Sequence, residues 1–207
     1  MDHSAISASV FDKHAERYRD KYMHLSLYDD SYREFCEALR PGRVRVLDAA
    51  CGPGMVSRYL LAHKPELDLV GIDLAPRMVE LARATVPLAH FAVHDCRRLA
   101  DLEWPFGGII CAFGLPYFSK EEAAGFIKTA NQALEPGGIL YLSTMLGESS
   151  GLERFSTGEE VYVTYYNEEE LLSALRTCGF EILKQNRIAS PSTAPKPTTD
   201  LIVIGRK

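Results

Sequence analysis

Cysteine is sparse and tryptophan nearly absent: five cysteines and the single Trp104 occur in 207 residues. Cys36, Cys51, Cys96, Cys111 and Cys178 are odd in number and scattered, and no two have the close spacing of a zinc knuckle or a redox CxxC. They read as reduced thiols of a cytoplasmic protein. No apolar run approaches the roughly 20 residues that cross a bilayer. Met1-Asp2-His3-Ser4 lacks the basic start and apolar run of a signal peptide, so no membrane association is expected. Basic charge is not in excess either. Lys and Arg total 23 against 28 Asp and Glu, a net charge of -5, which argues against a protein built to hold a polyanion. Repeats, heptads, a Ser/His/Asp relay and a metal-ligand cluster are all missing from the pattern. What remains, 46% hydrophobic and 25% charged, is the composition of a globular chain. Its length supports one domain over 1–207 with a sizeable core.

Four regions follow one another. Residues 1–42 read as a helical segment rich in aromatics, with Phe11, Ala15, Tyr18 and Tyr22 at the three- and four-residue steps of one helix face. A second helix over 34–39 ends at Pro41-Gly42. Residues 43–144 alternate strands (44–47, 69–72, 91–93, 109–112, 139–142) with helices (55–62, 76–84, 121–134). Short apolar strands between amphipathic helices predict a parallel sheet covered on both faces, an α/β fold. Residues 145–166 form a polar and aromatic insertion without clear period. Over 167–207 a helix capped by Asn167 precedes strands at 180–183 and 201–204, separated by an exposed Pro/Ser/Thr-rich loop at 189–200.

The chemistry concentrates at strand ends. Val46-Leu47-Asp48-Ala49-Ala50-Cys51-Gly52-Pro53-Gly54 places an acid at the end of the first strand and two glycines in the turn that follows. In an open parallel sheet ligands bind on that rim, and Gly52 and Gly54 would let backbone approach a ligand. Asp73 ends the second strand, at the distance that suits ribose hydroxyls, and Asp95 ends the third, placed to accept from an adenine amino group. Either acid would also serve as a helix cap. Three acids on one rim favour a nucleoside. Ser57 occupies the third glycine position of a dinucleotide motif, and Asp48 would repel a pyrophosphate while suiting a cationic ammonium or sulfonium. These residues point to S-adenosylmethionine.

The chain resembles the class I S-adenosylmethionine-dependent methyltransferases, in their small-molecule subgroup. Residues 46–54 are similar to the first motif of that family, GIDLAPRMVELAR (71–83) to its second, and His94-Asp95-Cys96 to its third. GIICAFGLPYFS (108–119) is similar to the fourth, LEPGGILYL (134–142) to the stretch entering the fifth strand, and 166–180 to a late helix. FDKHAERY (11–18) resembles the N-terminal lid of the subgroup.

The resemblance implies a doubly wound, mostly parallel seven-stranded sheet, Rossmann-like, with an antiparallel C-terminal strand. Residues 1–42 would be a helical lid, 43–144 the cofactor-binding core, 145–166 a substrate-side insertion and 167–207 a C-terminal helix and strand pair. Gly52 and Gly54 would line the methionine end, with Asp48 nearby. Asp73 would hold the ribose, Leu74 and Met78 would pack on adenine, and Asp95 with the backbone of Cys96 would meet the ring. Phe113 and Tyr117 would border the donor methyl, and Tyr18 would close over the amino-acid end. Ala50 stands where the family has glycine. The product would be S-adenosylhomocysteine.

For an acceptor that must lose a proton, His14, His24 and Tyr117 are candidate bases; surface placement is the alternative for the histidines. Glu153, Arg154, Tyr162, Tyr165 and Tyr166 would shape an acceptor site or pack the insertion onto the core. Gly114-Leu115-Pro116-Tyr117 lacks the Asn or Asp of the amino-adenine DNA enzymes, which excludes that class. Lys13, Arg17, Arg19 and Lys21 could meet RNA phosphates, but eight basic residues in 1–45 are interleaved with eight acidic ones, as on a solvated face. A small-molecule acceptor is expected, and no DNA. Two other readings stay open: an NAD(P)-dependent reductase, which leaves Asp48 and Asp95 idle, and a binding protein of the same fold without transfer activity.

Overall fold

The computed structural model describes residues 2–102, 105–155, 158–191 and 196–207. Three helices open the chain: α1 (His3–Lys13), α2 (Ala15–Tyr22) and α3 (Asp29–Ala38). Strands and helices then alternate as β1 (Arg45–Ala49), α4 (Met55–His63), β2 (Asp68–Asp73), α5 (Pro76–Thr85), β3 (His90–Val93), β4 (Phe106–Ala112), α6 (Lys120–Ala133) and β5 (Leu134–Leu146). A hairpin of β6 (Gly151–Arg154) and β7 (Glu160–Val163) precedes α7 (Glu168–Thr177), β8 (Glu181–Ala189) and β9 (Thr199–Arg206).

Seven strands form one sheet in the order β3-β2-β1-β4-β5-β9-β8. β1 through β5 pair in parallel, and β9 runs antiparallel to both β5 and β8. Strand order reverses between β1 and β4, which opens a crevice at their carboxyl ends. Alternate residues feed opposite cores, because successive strand side chains point to opposite faces. Leu47, Ile109, Leu140 and Val203 join Phe126 and Leu172 of α6 and α7. Their neighbours Val46, Ile110, Tyr141 and Ile202 join Phe35, Leu60 and Val79 of α3, α4 and α5.

Four local differences from the sequence reading have physical causes. The single helix face expected through Phe11 and Tyr22 is broken at His14, whose φ of -117° ends α1 and starts α2. β5 begins at Leu134, not 139, because a bulge between Phe106 and Gly108 of β4 takes up Pro136-Gly137-Gly138. β8 extends to Ala189, paired along its length with β9 as an edge strand whose mixed polarity carries no apolar run. β9 likewise starts at Thr199, so Asp200 lies in the sheet at 1% exposure and not in an exposed loop. The centre of the expected loop at 189–200 lies outside the described residues.

Candidate active site

The turn after β1 is built by left-handed backbone. Gly52 (φ +52°) and Gly54 (φ +84°) occupy that region, and so does Ala50 (φ +57°). A side chain there costs about 1–2 kcal/mol. Phe113, after β4, is the other non-glycine residue with positive φ among the described residues; its N–H donates to Ser143 O at 3.2 Å and to Ser143 Oγ at 3.0 Å. Both strained residues line the cavities at this rim, and strain of this kind clusters at functional sites.

The acids divide by environment. Asp73 Oδ2 accepts from Gly52 N at 2.9 Å and Oδ1 from Ala75 N at 2.9 Å, which ties the second strand end to the glycine turn. Burial raises its pKa against those bonds. A carboxylate offers about four lone-pair sites, so capacity remains for a further donor. Asp95 caps the short 3-10 segment Cys96–Asp101 through Arg97 N at 2.9 Å. Its Oδ2 also meets the Arg97 guanidinium at 2.6 Å. Burial would raise its carboxyl, but the Arg97 bonds outweigh it and leave the group below its ordinary value. The capping read as an alternative is therefore present for Asp95, whereas Asp73 caps no helix: Ala75 is the N-cap of α5, which has no side-chain cap bond. Asp48 is 1% exposed beneath the turn. Its Oδ2 accepts from Ser57 Oγ at 2.6 Å, while Oδ1 has no hydrogen-bond partner among the described residues. Burial pushes its pKa up to about 7.

A cavity of about 100 Å³ brings together Tyr18, Ala50, Gly52, Asp73, Leu74, Met78, Asp95, Cys96, Phe113 and Tyr117. Ser4, Ser7, Ala8 and Phe11 of α1 close it from the other side. Asp48 and Gly54 are not in its wall. Gly54 instead lets α4 approach α5, where an added Cβ would lie 3.2 Å from Ala82 Cα.

A second cavity of about 700 Å³ shares Phe11, Tyr18, Ala50, Gly52, Phe113 and Tyr117 with the first and extends under α2. All three candidate bases border it. His14 Nε2 lies 2.9 Å from Glu159 Oε1, and His24 is exposed. Burial raises the pKa of Tyr117 well above its ordinary value, which keeps it protonated. From the insertion, Glu153 and Tyr165 reach this cavity, with Tyr165 Oη donating to Glu153 Oε1 at 2.7 Å. Tyr166 donates to Leu115 O at 2.8 Å inside the core, Tyr162 stacks on His3, and Arg154 pairs with Glu160. No group of three or more potential metal ligands occurs among the described residues.

Two polar residues of this cavity escaped the sequence reading. Tyr28 Oη donates to Asp200 Oδ2 at 2.6 Å, and both border the cavity. The available signal was an acid heading the apolar run Leu201-Ile202-Val203-Ile204. Arg97 was also missed. It joins Asp95 to Asp2, the N-cap of α1, at 3.0 Å and to Glu122 at 2.5 Å.

Residues 46–138 match a family model described as a methyltransferase domain. A demethylmenaquinone methyltransferase of Deinococcus radiodurans is 32% identical over 120 residues, covering 56% of this chain and 49% of that protein. The matched stretch thus spans about half the length of that relative. Among solved structures, the magnesium protoporphyrin IX methyltransferase of Synechocystis PCC 6803, with bound SAM, superposes with a TM-score of 0.75 at 16% identity, covering 100% of this chain and 98% of that one. The 1,6-didemethyltoxoflavin-N1-methyltransferase of Burkholderia thailandensis, bound to its substrate and S-adenosylhomocysteine, gives 0.72 at 20% identity, covering 100% and 90%. Residues 46–138 thus match a methyltransferase domain, and the fold of the whole chain is the one these methyltransferase structures share.

Proposed function

We propose that the protein transfers a methyl group from S-adenosylmethionine to a small-molecule acceptor, within one domain over 1–207 and in the reducing cytoplasm. The observation that carries this reading is the joined pair of cavities: a narrow one walled by Asp73, Asp95 and the glycine turn, opening past Phe113 and Tyr117 into a larger aromatic one. The residues fit the donor. Asp73 would take the ribose hydroxyls with its spare lone pairs. Leu74, Met78 and Cys96 offer the adenine an apolar slot, with Asp95 at its edge. An added Cβ on Gly52 would meet nothing within 4 Å, so the backbone there is open to a ligand. Asp48 Oδ1, with no hydrogen-bond partner among the described residues, lies behind the turn and would be a negative centre for a cation once ionised.

When bound, the donor supplies an electrophilic methyl on a sulfonium. The chain's own contribution is alignment and exclusion of water, which can account for much of the acceleration of an in-line displacement. Phe11, Tyr18, Phe113 and Tyr117 surround the junction of the cavities, and aromatic faces favour a cation. The larger cavity, at about 700 Å³, is of the size and apolar character that hold small ligands. No nucleic-acid acceptor is proposed. Calorimetric titration with S-adenosylmethionine, S-adenosylhomocysteine and NADH tests the reading. Micromolar binding of the first two, with none of NADH, is expected; binding of NADH alone would overturn it.

A further inference from the structure

The larger cavity is lined by a hydrogen-bonded pair that does not reach the smaller, donor-side cavity. Tyr28, at the start of α3, donates from Oη to Asp200 Oδ2 at 2.6 Å, and Asp200 Oδ1 accepts from Thr198 Oγ1 at 3.2 Å. Asp200 is 1% exposed and Tyr28 6%. The Tyr28 ring lies 4.9 Å from that of Phe113, the residue shared by both cavities. The pair therefore sits beside the junction, on the acceptor side.

A fastening role alone explains the pair poorly. The Ser31 and Tyr141 hydroxyls already join α3 to the sheet, 3.0 Å apart, and Phe35 of α3 is fully buried beside Tyr141. Replacing a buried charged contact with apolar groups is often neutral or stabilising. A carboxylate kept in an apolar strand at the wall of a cavity is better explained by what enters that cavity.

We infer that Tyr28 and Asp200 form a proton relay for an acceptor whose hydroxyl or N–H sits on a flat aromatic body. This rests on the methyltransferase reading above. Tyr28 gives its proton to Asp200, so its oxygen keeps lone pairs for a donor in the cavity. As the acceptor atom bonds to the methyl, the S–CH₃ bond breaks with its electron pair left on sulfur. The acceptor's proton passes to Tyr28 Oη, and the Tyr28 proton passes to Asp200 Oδ2. One sulfonium cation and one carboxylate anion are lost together, so no charge is stranded in the closed cavity. Burial raises the pKa of Asp200 against the Tyr28 and Thr198 bonds, in the direction that lets it keep the proton. Tyr28 is the residue that touches the acceptor; Asp200 acts through it as a positioning residue and proton terminus.

The test uses the whole protein saturated with S-adenosylhomocysteine and two probes, 2-naphthol and its methyl ether. Native protein should bind the naphthol at least tenfold more tightly than the ether, since only the naphthol can donate to Tyr28. In Asp200→Asn and Tyr28→Phe that ratio should fall to about twofold, with affinity for S-adenosylhomocysteine unchanged. A fastening role would not move the ratio. Equal binding of the two probes to native protein, failure of the naphthol to bind, or a ratio preserved in Tyr28→Phe overturns the inference. Tyr28→Phe keeps its ring against Phe113 and decides the matter even where Asp200→Asn fails to fold. Loss of S-adenosylhomocysteine binding by native protein would instead strike the methyltransferase reading, and the relay with it.

Discussion

Replacing Asp48 with asparagine tests the charge buried beneath the glycine turn, and the size of the effect follows from its surroundings. Ser57 Oγ donates to Oδ2 at 2.6 Å, and Oδ1 has no hydrogen-bond partner among the described residues. Burial lifts the carboxyl from its ordinary 3.8 to about 7, with the Ser57 bond opposing and the nearby Asp73 adding. The folded protein thus keeps a proton that the unfolded chain releases near pH 4. That stabilising contribution is complete below the unfolded pKa and is lost as pH rises to about 7, at 1.36 kcal/mol per pH unit, or up to about 4 kcal/mol in all. Asparagine has nearly the same shape, can accept from Ser57 and does not titrate. Its stability relative to native should therefore rise by up to about 4 kcal/mol between pH 4 and pH 8. Urea unfolding of both proteins without ligand, in steps across that range, measures the difference. Asp73 and Asp200 are raised in the same direction, so only the difference between the proteins isolates Asp48. A difference that stays constant with pH refutes the reasoning. A cation above the turn favours the ionised carboxylate. Affinity for S-adenosylmethionine should accordingly increase through about pH 7 in native protein and stay flat in the variant.

Three further changes give measurable outcomes. Asp73→Ala removes the proposed ribose partner and should weaken S-adenosylmethionine binding by roughly 1–3 kcal/mol in calorimetry; unchanged affinity would count against the site. Ala50→Gly relieves a side chain at φ +57° and should stabilise the protein by roughly 0.5–1 kcal/mol in urea unfolding, with no stabilisation arguing against strain at that position. Arg97→Gln removes the charge that holds Asp2 and Asp95. Limited proteolysis should then cut within 3–22 several-fold faster than in native protein, while α6 stays protected; equal cutting would show that the N-terminal helices are held by other contacts.

The alternation of strands and helices was legible because parallel strands buried on both faces leave apolar runs, and the two cores confirm that Val46 and Leu47 serve opposite sides. Gly52 and Asp73 were legible as neighbours because strand ends and turns in this topology share one rim, and a 2.9 Å bond now joins them. Features that depend on long-range partners were not legible. β6 and β7 are four residues each and pair with one another in a sheet of two strands. The mixed polarity of β8 makes sense only once β9 is known to pair with one edge of it. Arg97 looks like any surface arginine until the fold brings Asp2, 95 residues earlier, against it. Asp200 read as the end of a polar loop because the strand's first two residues, Thr199 and Asp200, are polar. Their pairing with Leu146 and Met145 of β5 on one side and with Ala189 and Ile188 of β8 on the other puts them in the sheet.

The three N-terminal helices differ in how they are held, and the difference bears on ligand entry. α3 buries Tyr32, Phe35 and Cys36 and is part of the core. α1 buries only Ser4 and Ser7, and several of its ties are polar. Asp2 meets Arg97, Ser4 Oγ donates to Tyr117 O at 2.6 Å, and Asp12 Oδ1 accepts from Arg77 N at 2.6 Å. An ion pair as open as Asp2–Arg97, with Asp2 49% exposed, is worth under about 1 kcal/mol. The apolar contact of α1 and α2 is a small cluster in which Ala15, Phe11 and Tyr18 meet Ala75, Met78 and Leu81. The cavity they cover, at about 100 Å³, is smaller than the roughly 300–1,000 Å³ of ordinary ligand pockets. On the proposed reading a nucleoside would enter only if α1 and α2 moved outward, which would break these polar ties and the small apolar cluster. The segment between α2 and α3 is the natural hinge, since α3 cannot leave the sheet without exposing Phe35. Of the segment 1–42 read as a lid, the moving part would then be α1 and α2. Arg97 couples their position to Asp95 in the wall of the same cavity, so a ligand that draws on Asp95 also acts on the tie that keeps the helices closed.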